Sequence, residues 1–157
     1  MHNVTIYSDG ACKGNPGPGG WGAVLTWLNP KDNKNYYKDI YGGSPDTTNN
    51  IMELTGCIEA LRHLKGECAV TLYTDSKYVK EGITSWINNW KKNGWLTTNK
   101  KPVANKELWI QLDELAAKHN VNFRWVKGHS DNQLNERADT LANMGCNVVR
   151  ANDLVDA

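Results

Sequence analysis

The sequence predicts one α/β domain, in which helices flank a mixed sheet of three antiparallel strands followed by two parallel strands. The first indication is a repeated strand motif, because residues 4–9 match residues 70–75 almost residue for residue. The second is a series of three strand-type segments with short turns between them, which is typical of an antiparallel meander. The third is a helical pattern between the two copies of the motif, because a crossover through a helix makes the flanking strands parallel.

The elements follow in order along the chain. We expect the antiparallel strands at 3–9, 22–28 and 36–41, joined by turns at 14–20 and 29–33. The next helix is expected around 54–61, with cap candidates Thr47, Thr48, Asn49 and Asn50, and Gly66 ends it. The second motif follows at 70–75, then a helix from Ser76 to about Trp90, a helix around 108–116, a strand at 121–126 and a helix around 134–142. We expect a loosely ordered tail at about 148–157 and a single domain that comprises residues 1–157.

The composition excludes several classes of protein. The 157 residues carry 18 Lys and Arg against 17 Asp and Glu, so any nucleic-acid contact must come from local patches. No stretch approaches the roughly 20 apolar residues of a membrane span, and no secretory signal follows Met1. The four cysteines show no zinc spacing, and we interpret them as reduced thiols of a cytoplasmic protein.

Both copies of the strand motif end in an aspartate, Asp9 in the first and Asp75 in the second. The two residues occupy the same phase of the strand period, so in adjacent parallel strands both carboxylates emerge at one edge of the sheet. Two unpaired anions side by side repel each other, and a metal ion or a proton usually neutralises such a pair. For the matched pair, we favour a functional site over coincidence.

Two further acids are candidates to join the pair. We expect Glu53 in the first turn of the connecting helix and Asp139 on the final helix. Hard oxygen ligands beyond the carboxyl ends of strands suit Mg²⁺ or Mn²⁺, and two such ions about 3.5–4 Å apart can promote phosphodiester hydrolysis. Taken singly, Glu53 is equally well explained by the helix dipole, and Asp139 by a solvated helix face.

Two residues near the last strand and helix have less specific patterns. His129 follows the last predicted strand in the loop 128–131, where it would serve either in proton transfer or simply as a surface residue. Asn135 lies one helical turn before Asp139 and therefore shares its face.

A lysine-rich segment (residues 86–106) contains no acid at all. Its lysines favour salt-dependent attraction to phosphates, and its tryptophans offer flat surfaces for sugars or bases. At their helical spacing, however, Trp86, Trp90 and Trp109 are better interpreted as packing in the core. For the lysines we favour nucleic-acid binding, because the segment itself supplies no counter-charge.

Taken together, these residues resemble type 1 ribonuclease H of bacteria. The resemblance runs from about residue 3 to 145, and its motifs are YSDGAC-x-GNPGPGGWG at 7–22, TNNIMEL at 48–54, TDS at 74–76, WVKGH at 125–129 and NERAD at 135–139. It implies a ribonuclease H-like five-stranded mixed sheet with the second strand motif beside the first. It also implies an endonuclease that cleaves the RNA strand of RNA/DNA hybrids without reading sequence, leaving 5′-phosphate and 3′-hydroxyl ends.

The resemblance also implies roles for individual residues. One or two Mg²⁺ ions, with Mn²⁺ as a substitute, would be held by Asp9, Glu53, Asp75 and Asp139, and His129 would assist proton transfer or product departure. The hybrid would contact Asn15, Asn50 and Lys77 near its minor groove, Thr48 and Asn105 at a DNA phosphate, Asn135 beside Asp139, and a basic protrusion that includes Trp86, Lys91, Lys92, Lys100 and Lys101. We expect a monomer with no membrane partner.

The chain departs from the family pattern in a few places. Lys77 stands where a glutamine is expected, which exchanges a hydrogen bond to a base or sugar edge for a phosphate contact. Leu96 and Ala104 replace lysines, so the protrusion is less basic than in other bacterial members. The loop 29–35 is longer than usual and has no assigned role.

Two other functions compete with hybrid cleavage. A catalytically silent hybrid- or duplex-binding module would not need four carboxylates, and all four are present here. An integrase or a junction resolvase of the same fold would not be expected to carry the protrusion or the loop of Gly128 and His129.

Overall fold

A five-stranded mixed sheet forms the centre of the protein. The computed structural model describes the backbone of residues 2–127 and 132–156, and the side chains of these ranges as far as residue 151. The strands are β1 (His2–Cys12), β2 (Gly17–Asn29), β3 (Lys34–Thr47), β4 (Cys68–Thr74) and β5 (Asn120–Trp125). Their order is β3-β2-β1-β4-β5, with antiparallel pairing from β3 to β1 and parallel pairing from β1 to β5. The predicted mixed sheet is confirmed.

Helices cover both faces of this sheet. They are α1 (Asn49–Arg62), α2 (Lys77–Glu81), α3 (Ile87–Lys92), α4 (Lys106–Ala117) and α5 (Gln133–Asp156). Ser8 of β1 contacts Cys57 of α1, whereas the neighbouring Tyr7 contacts Asn132, just before α5. Because successive side chains of a strand point to opposite faces, α1 and α5 lie on opposite sides of the sheet. In the described part of the chain, no helix combines the length and the apolar character needed to cross a membrane.

The two copies of the strand motif pair with each other residue for residue. Val4 lies opposite Val70, and the register continues without a shift to Ser8 opposite Thr74. Tyr7 and Tyr73 stack with ring centroids 4.6 Å apart, which shows that equivalent positions share a face. The predicted parallel adjacency of the two motifs is therefore confirmed.

The predicted turn at 14–20 is wrong in its second half, since β2 already begins at Gly17. A Cβ on Gly20 would lie 2.1 Å from the carbonyl oxygen of Ala142 and 2.3 Å from the amide nitrogen of Cys146. The glycine thus allows the backbone of α5 to pack directly on the strand. The glycine-rich pattern fits either a turn or a close approach of the backbone to another segment, and at Gly20 the structure shows the close approach. The helix concerned lies more than 100 residues further along the chain.

The helix predicted from Ser76 to Trp90 is also interrupted. A π-helical turn at Gly82–Trp86 separates α2 from α3. The fully buried ring of Trp109 packs against Gly82 at this turn. A tertiary contact from α4 therefore occupies the space beside the turn, which local propensity cannot anticipate.

The ends of two other helices differ from the expected positions. Helix α1 ends at Arg62, before Gly66, and α5 continues to Asp156, so the backbone at 148–156 is helical. How loosely this last part of the chain is held stays a prediction, as does the single-domain organisation of residues 1–157.

We predict that Gly20→Ala destabilises the protein by about 1–3 kcal/mol or more, since the added methyl group overlaps backbone atoms of α5. Urea denaturation followed by circular dichroism measures the change. The control is Gly66→Asn, because Gly66 has open space around it and a φ of +70° that asparagine tolerates. An unchanged unfolding midpoint for Gly20→Ala would contradict the close helix–sheet contact.

Candidate active site

Two neighbouring strands carry the first two carboxylates of the site. The parallel pairing of β1 with β4 ends at Ser8 and Thr74, and Asp9 and Asp75 follow it next to each other. Strand β1 itself continues to Cys12, so the predicted end of the first strand at residue 9 is wrong. Asp9 is 5% exposed, and one of its carboxylate oxygens accepts a hydrogen bond from the Gly10 amide at 2.9 Å. The backbone thus fixes the orientation of the more buried aspartate.

Glu53 reaches the same place from α1. The Thr48 hydroxyl caps this helix by accepting a hydrogen bond from the Ile51 amide at 3.2 Å, so α1 begins at Asn49. Glu53 therefore lies in the second turn, and its predicted position in the first turn is wrong. This location weakens the helix-dipole explanation of Glu53, because that effect fades beyond the first turn.

The absence of a side chain at Gly10 allows α1 to approach β1. A Cβ on Gly10 would lie 2.5 Å from the Glu53 amide nitrogen and 2.8 Å from one of its carboxylate oxygens. As a result, Asp9, Glu53 and Asp75 each offer an oxygen within 4.8 Å of the others. The structure thus brings together three of the four acids that sequence reasoning selected.

The fourth acid, Asp139, approaches from the opposite face on α5. Burial is the largest cause that raises the pKa of the Asp9 carboxyl, and the Asp139 carboxyl adds to that rise from the side of α5. Two contacts hold this helix in place: Tyr7 accepts a hydrogen bond from Asn132 at 3.1 Å, and Arg137 pairs with Asp39. The start of α5 is therefore anchored to two strands of the sheet, β1 and β3.

Burial and mutual repulsion perturb these carboxyl groups strongly. Burial, followed by the charge of Asp75, raises the pKa of Asp9 to about 8. Burial, followed by the charges of Asp9 and Asp75, also raises the pKa of Glu53 well above its ordinary value. At pH 7 the Asp9 carboxyl is therefore mostly protonated unless a cation replaces its proton.

The donor set fits a divalent cation. Glu53 is 3% exposed, yet neither oxygen of its carboxylate has a hydrogen-bond partner within the ranges described. Buried acceptors that lack partners are costly, and a bound cation would satisfy them. A group made only of carboxylate oxygens suits hard ions such as Mg²⁺ or Mn²⁺.

Four of the predicted substrate-binding residues surround this site. Asn50 and Lys77 line a pocket, here called the acidic pocket, whose other lining residues are Asp9, Gly10, Asn49, Glu53, Asp75, Ser76 and Tyr78. Asn15 accepts a hydrogen bond from the Asn49 amide at 3.1 Å, which joins the glycine-rich loop to the start of α1. Thr48, the cap of α1, lies beside both. Asn50 and Lys77 therefore line the acidic pocket, whereas Asn15 and Thr48 lie next to it at the start of α1.

Asn105 and Asn135 occupy two other positions. The Asn105 amide donates to the Tyr78 hydroxyl at 3.1 Å, and the buried Trp109 ring donates to the same oxygen at 3.1 Å. Tyr78 thereby connects Asn105, at the start of α4, with the helix that follows the Asp75 strand. Asn135 is 3% exposed on α5, one turn before Asp139.

The lysine-rich segment lies outside the acidic pocket, and the tryptophans that were predicted to pack in the core differ in burial. Trp109 is fully buried, as predicted, whereas Trp86 is 36% exposed and packs its edge against Tyr78. Lys91 forms an ion pair with Asp113 at 3.2 Å. The expectation of a wholly uncompensated cluster is therefore wrong for Lys91, since α4 supplies an acid that the segment itself lacks.

Sequence reasoning missed the role of Trp125. The Trp125 ring donates a hydrogen bond to the backbone oxygen of Asp75 at 2.9 Å, and Lys77 lies over its face. No local pattern links Trp125 with Asp75, because they stand 50 residues apart. Another predicted site residue, His129, falls at 128–131, outside the described residues.

We predict that the metal-free protein becomes less stable, relative to Asp9→Asn, as the pH rises from about 4 to about 8. Folded Asp9 binds its proton more tightly than unfolded Asp9, so the stabilisation is complete below the ordinary pKa of 3.8 and is lost as pH passes through about 8. The loss is at most about 1.4 kcal/mol per pH unit. Urea denaturation in EDTA measures it, and Mg²⁺ should reverse it; a difference independent of pH would contradict the raised pKa.

Comparison with known proteins places the chain in a family. A model of the RNase H family matches residues 1–147. Ribonuclease H of Hahella chejuensis is 59% identical over 145 residues, which cover 92% of this chain and 94% of that protein. Ribonuclease HI of Caulobacter vibrioides is 57% identical over 142 residues, which cover 90% and 91%.

The solved structures agree with the sequence matches. LC9-RNase H1, described as a type 1 RNase H with the type 2 active-site motif, superposes with a TM-score of 0.85 at 33% identity, covering 94% of this chain and 73% of that chain. Its likeness confirms the predicted ribonuclease H-like architecture. The chain therefore belongs to the RNase H family and is an endonuclease that hydrolyses the RNA strand of RNA/DNA hybrids.

Proposed function

We propose that Asp9, Glu53, Asp75 and Asp139 hold one or two Mg²⁺ ions at which the RNA strand is cleaved, with Mn²⁺ as a substitute. The observation that carries this proposal is the convergence of Asp9, Glu53 and Asp75, whose oxygens lie within 4.8 Å of one another although burial and repulsion oppose it. Such an arrangement is unfavourable for stability alone, and a divalent cation relieves it.

When bound, a divalent ion supplies an activated water and stabilises the oxygen that leaves the phosphorus. The chain positions the groups around that chemistry. The Gly10 amide orients Asp9, and the Thr48 cap fixes where α1 begins and therefore the helical turn in which Glu53 lies. We propose that His129 moves a proton or assists product departure, and that the products carry 5′-phosphate and 3′-hydroxyl ends.

Recognition of the hybrid is assigned to the rim of the acidic pocket. Ribose 2′-hydroxyls lie in the wide, shallow minor groove and distinguish RNA from DNA. The side-chain amides of Asn15 and Asn50 have the reach and the polarity to bind such hydroxyls without reading base sequence. Asn135 provides a further amide beside Asp139.

The DNA strand is assigned to phosphate contacts further along the surface. Thr48 and Asn105 each stand at the start of a helix, α1 and α4, where the backbone amides favour an anion. Tyr78 holds Asn105 in place through its hydroxyl. Trp86 and the exposed lysines Lys92, Lys100 and Lys101 extend this surface, with Lys91 contributing less because Asp113 neutralises it. We propose that the protein acts as a monomer.

We predict that Asp9→Asn lowers the cleavage rate by more than about 100-fold, since loss of even an outer-sphere partner of a metal costs roughly 10–100-fold. Hybrid binding should stay within about twofold, because no phosphate contact is removed. Cleavage of labelled hybrid in Mg²⁺ and fluorescence anisotropy give the two readouts. The matched control is Asp32→Asn, an exposed acid at the tip between β2 and β3, and an active Asp9→Asn would overturn the assignment.

We predict that replacing Lys91, Lys92, Lys100 and Lys101 by glutamine weakens hybrid binding and makes it less dependent on salt. Removal of each phosphate contact should reduce the slope of log K against log salt by roughly 0.7–0.9. Lys91→Gln alone should have a smaller effect than Lys92→Gln alone, because Lys91 is already paired with Asp113. Salt titrations in the Asp9→Asn background measure the slopes, and an unchanged slope would remove these lysines from the interface.

A further inference from the structure

Lys77 and Trp125 make a contact at the edge of the acidic pocket that the proposed metal site does not explain. The Lys77 ammonium lies 5.0 Å from the centroid of the Trp125 ring, within the range of about 6 Å for a cation–π interaction. The same ring donates its N–H to the backbone oxygen of Asp75 at 2.9 Å. The Trp125 indole therefore contacts both the backbone of Asp75, which follows β4, and the ammonium of Lys77.

The Lys77 ammonium lies near several carboxylates without forming an ion pair with any that the structure describes. Lys77 lines the same pocket as Asp9, Glu53 and Asp75. Nevertheless, counting only side chains that the structure describes, no carboxylate oxygen lies within 4.0 Å of its ammonium. A flexible cation near three carboxylates would ordinarily pair with one of them. The Trp125 ring provides the alternative place for it.

The backbone at Lys77 is fixed by its helix, so only rotation of the side chain can move the ammonium between the Trp125 ring and the carboxylates. Lys77 is the first residue of α2, and the Ser76 hydroxyl caps that helix by accepting a hydrogen bond from the Val79 amide at 3.2 Å. Lys77 is exposed where it lines the acidic pocket, and Trp125, which it contacts, is 41% exposed. Without the ring, the ammonium could swing onto the carboxylates and compete with a metal ion.

We propose that Trp125 is a positioning residue for the cleavage reaction. Its ring holds the Lys77 ammonium away from the carboxylates, so that these remain free for a divalent cation while the ammonium binds a backbone phosphate of the hybrid. This inference rests on the proposed metal site and adds to it a residue that touches no metal. It also gives a reason for the lysine that stands where the family pattern has glutamine.

Calorimetric titration of the intact protein with Mg²⁺ tests the first half of the proposal. Trp125→Leu should raise the Kd for Mg²⁺ by about two- to fivefold, which corresponds to an exposed cation–π contact. Trp125→Phe retains an aromatic face but not the N–H, and should stay near the wild-type value. In the double variant Trp125→Leu with Lys77→Met, the Kd should return to that of Lys77→Met alone, because no ammonium remains to compete.

Three results would overturn this half. They are an unchanged Kd in Trp125→Leu, a double variant as weak as Trp125→Leu, and a Trp125→Phe variant as weak as Trp125→Leu. Either of the last two results would mean that the raised Kd comes from altered folding or from loss of the hydrogen bond to Asp75, and not from the released ammonium. Asp9→Asn in the same titration separates the two proposals: normal Mg²⁺ binding by that variant would refute the metal site itself.

Hybrid binding in the Asp9→Asn background, without Mg²⁺, tests the phosphate contact. Lys77→Met should reduce the salt slope by roughly 0.7–0.9, as expected when one phosphate contact is removed. Lys118→Met, an exposed lysine just after α4, is the matched control and should leave the slope unchanged. Equal slopes for Lys77→Met and for the background protein would refute the contact.

Discussion

The parallel, residue-for-residue pairing of β1 with β4 is the constraint on which the site depends. Because the two strands repeat one sequence pattern, equivalent positions lie side by side, and an aspartate follows the last paired residue of each strand. The shared register therefore places like charges next to each other, which is unfavourable unless a cation or a proton intervenes. Together with burial, this arrangement raises the pKa of Asp9 to about 8.

Close backbone packing completes the site from both faces of the sheet. On one face Gly10 allows α1 to bring Glu53 against Asp9, and on the other Gly20 allows α5 to lie directly on β2. Asp139 is carried to Asp9 by that second contact. The glycines of this chain thus do more than form turns, since they set the distances between elements that carry the carboxylates.

Much of this could be predicted from the sequence, because the decisive signals are local. The repeated strand motif indicates two adjacent parallel strands, and the aspartate at the end of each copy indicates a pair of carboxylates. Helical spacing after Thr48 places Glu53 on the connecting helix, although not in the correct turn. The family resemblance supplied the remaining assignments, since single residues such as Asp139 fit a solvated helix face equally well.

What the sequence did not reveal depends on contacts between distant segments. A helix near the end of the chain leaves no room for a side chain at Gly20, and the π-helical turn packs against Trp109. Lys91 is neutralised by Asp113 from another helix, and Trp125 bonds to a strand end 50 residues away. Periodicity and propensity describe neighbours along the chain, so none of these contacts leaves a local signal.

Proton release on Mg²⁺ binding tests the central claim most directly. The pKa of Asp9 is about 8, so at pH 7 the metal-free site holds at least part of its protons, and a bound cation must displace them. Calorimetry in buffers of different ionisation enthalpy counts those protons. The account predicts that binding releases protons at pH 7 and that Asp9→Asn greatly weakens both binding and release. Mg²⁺ binding without proton release, or with equal strength in Asp9→Asn, would contradict it.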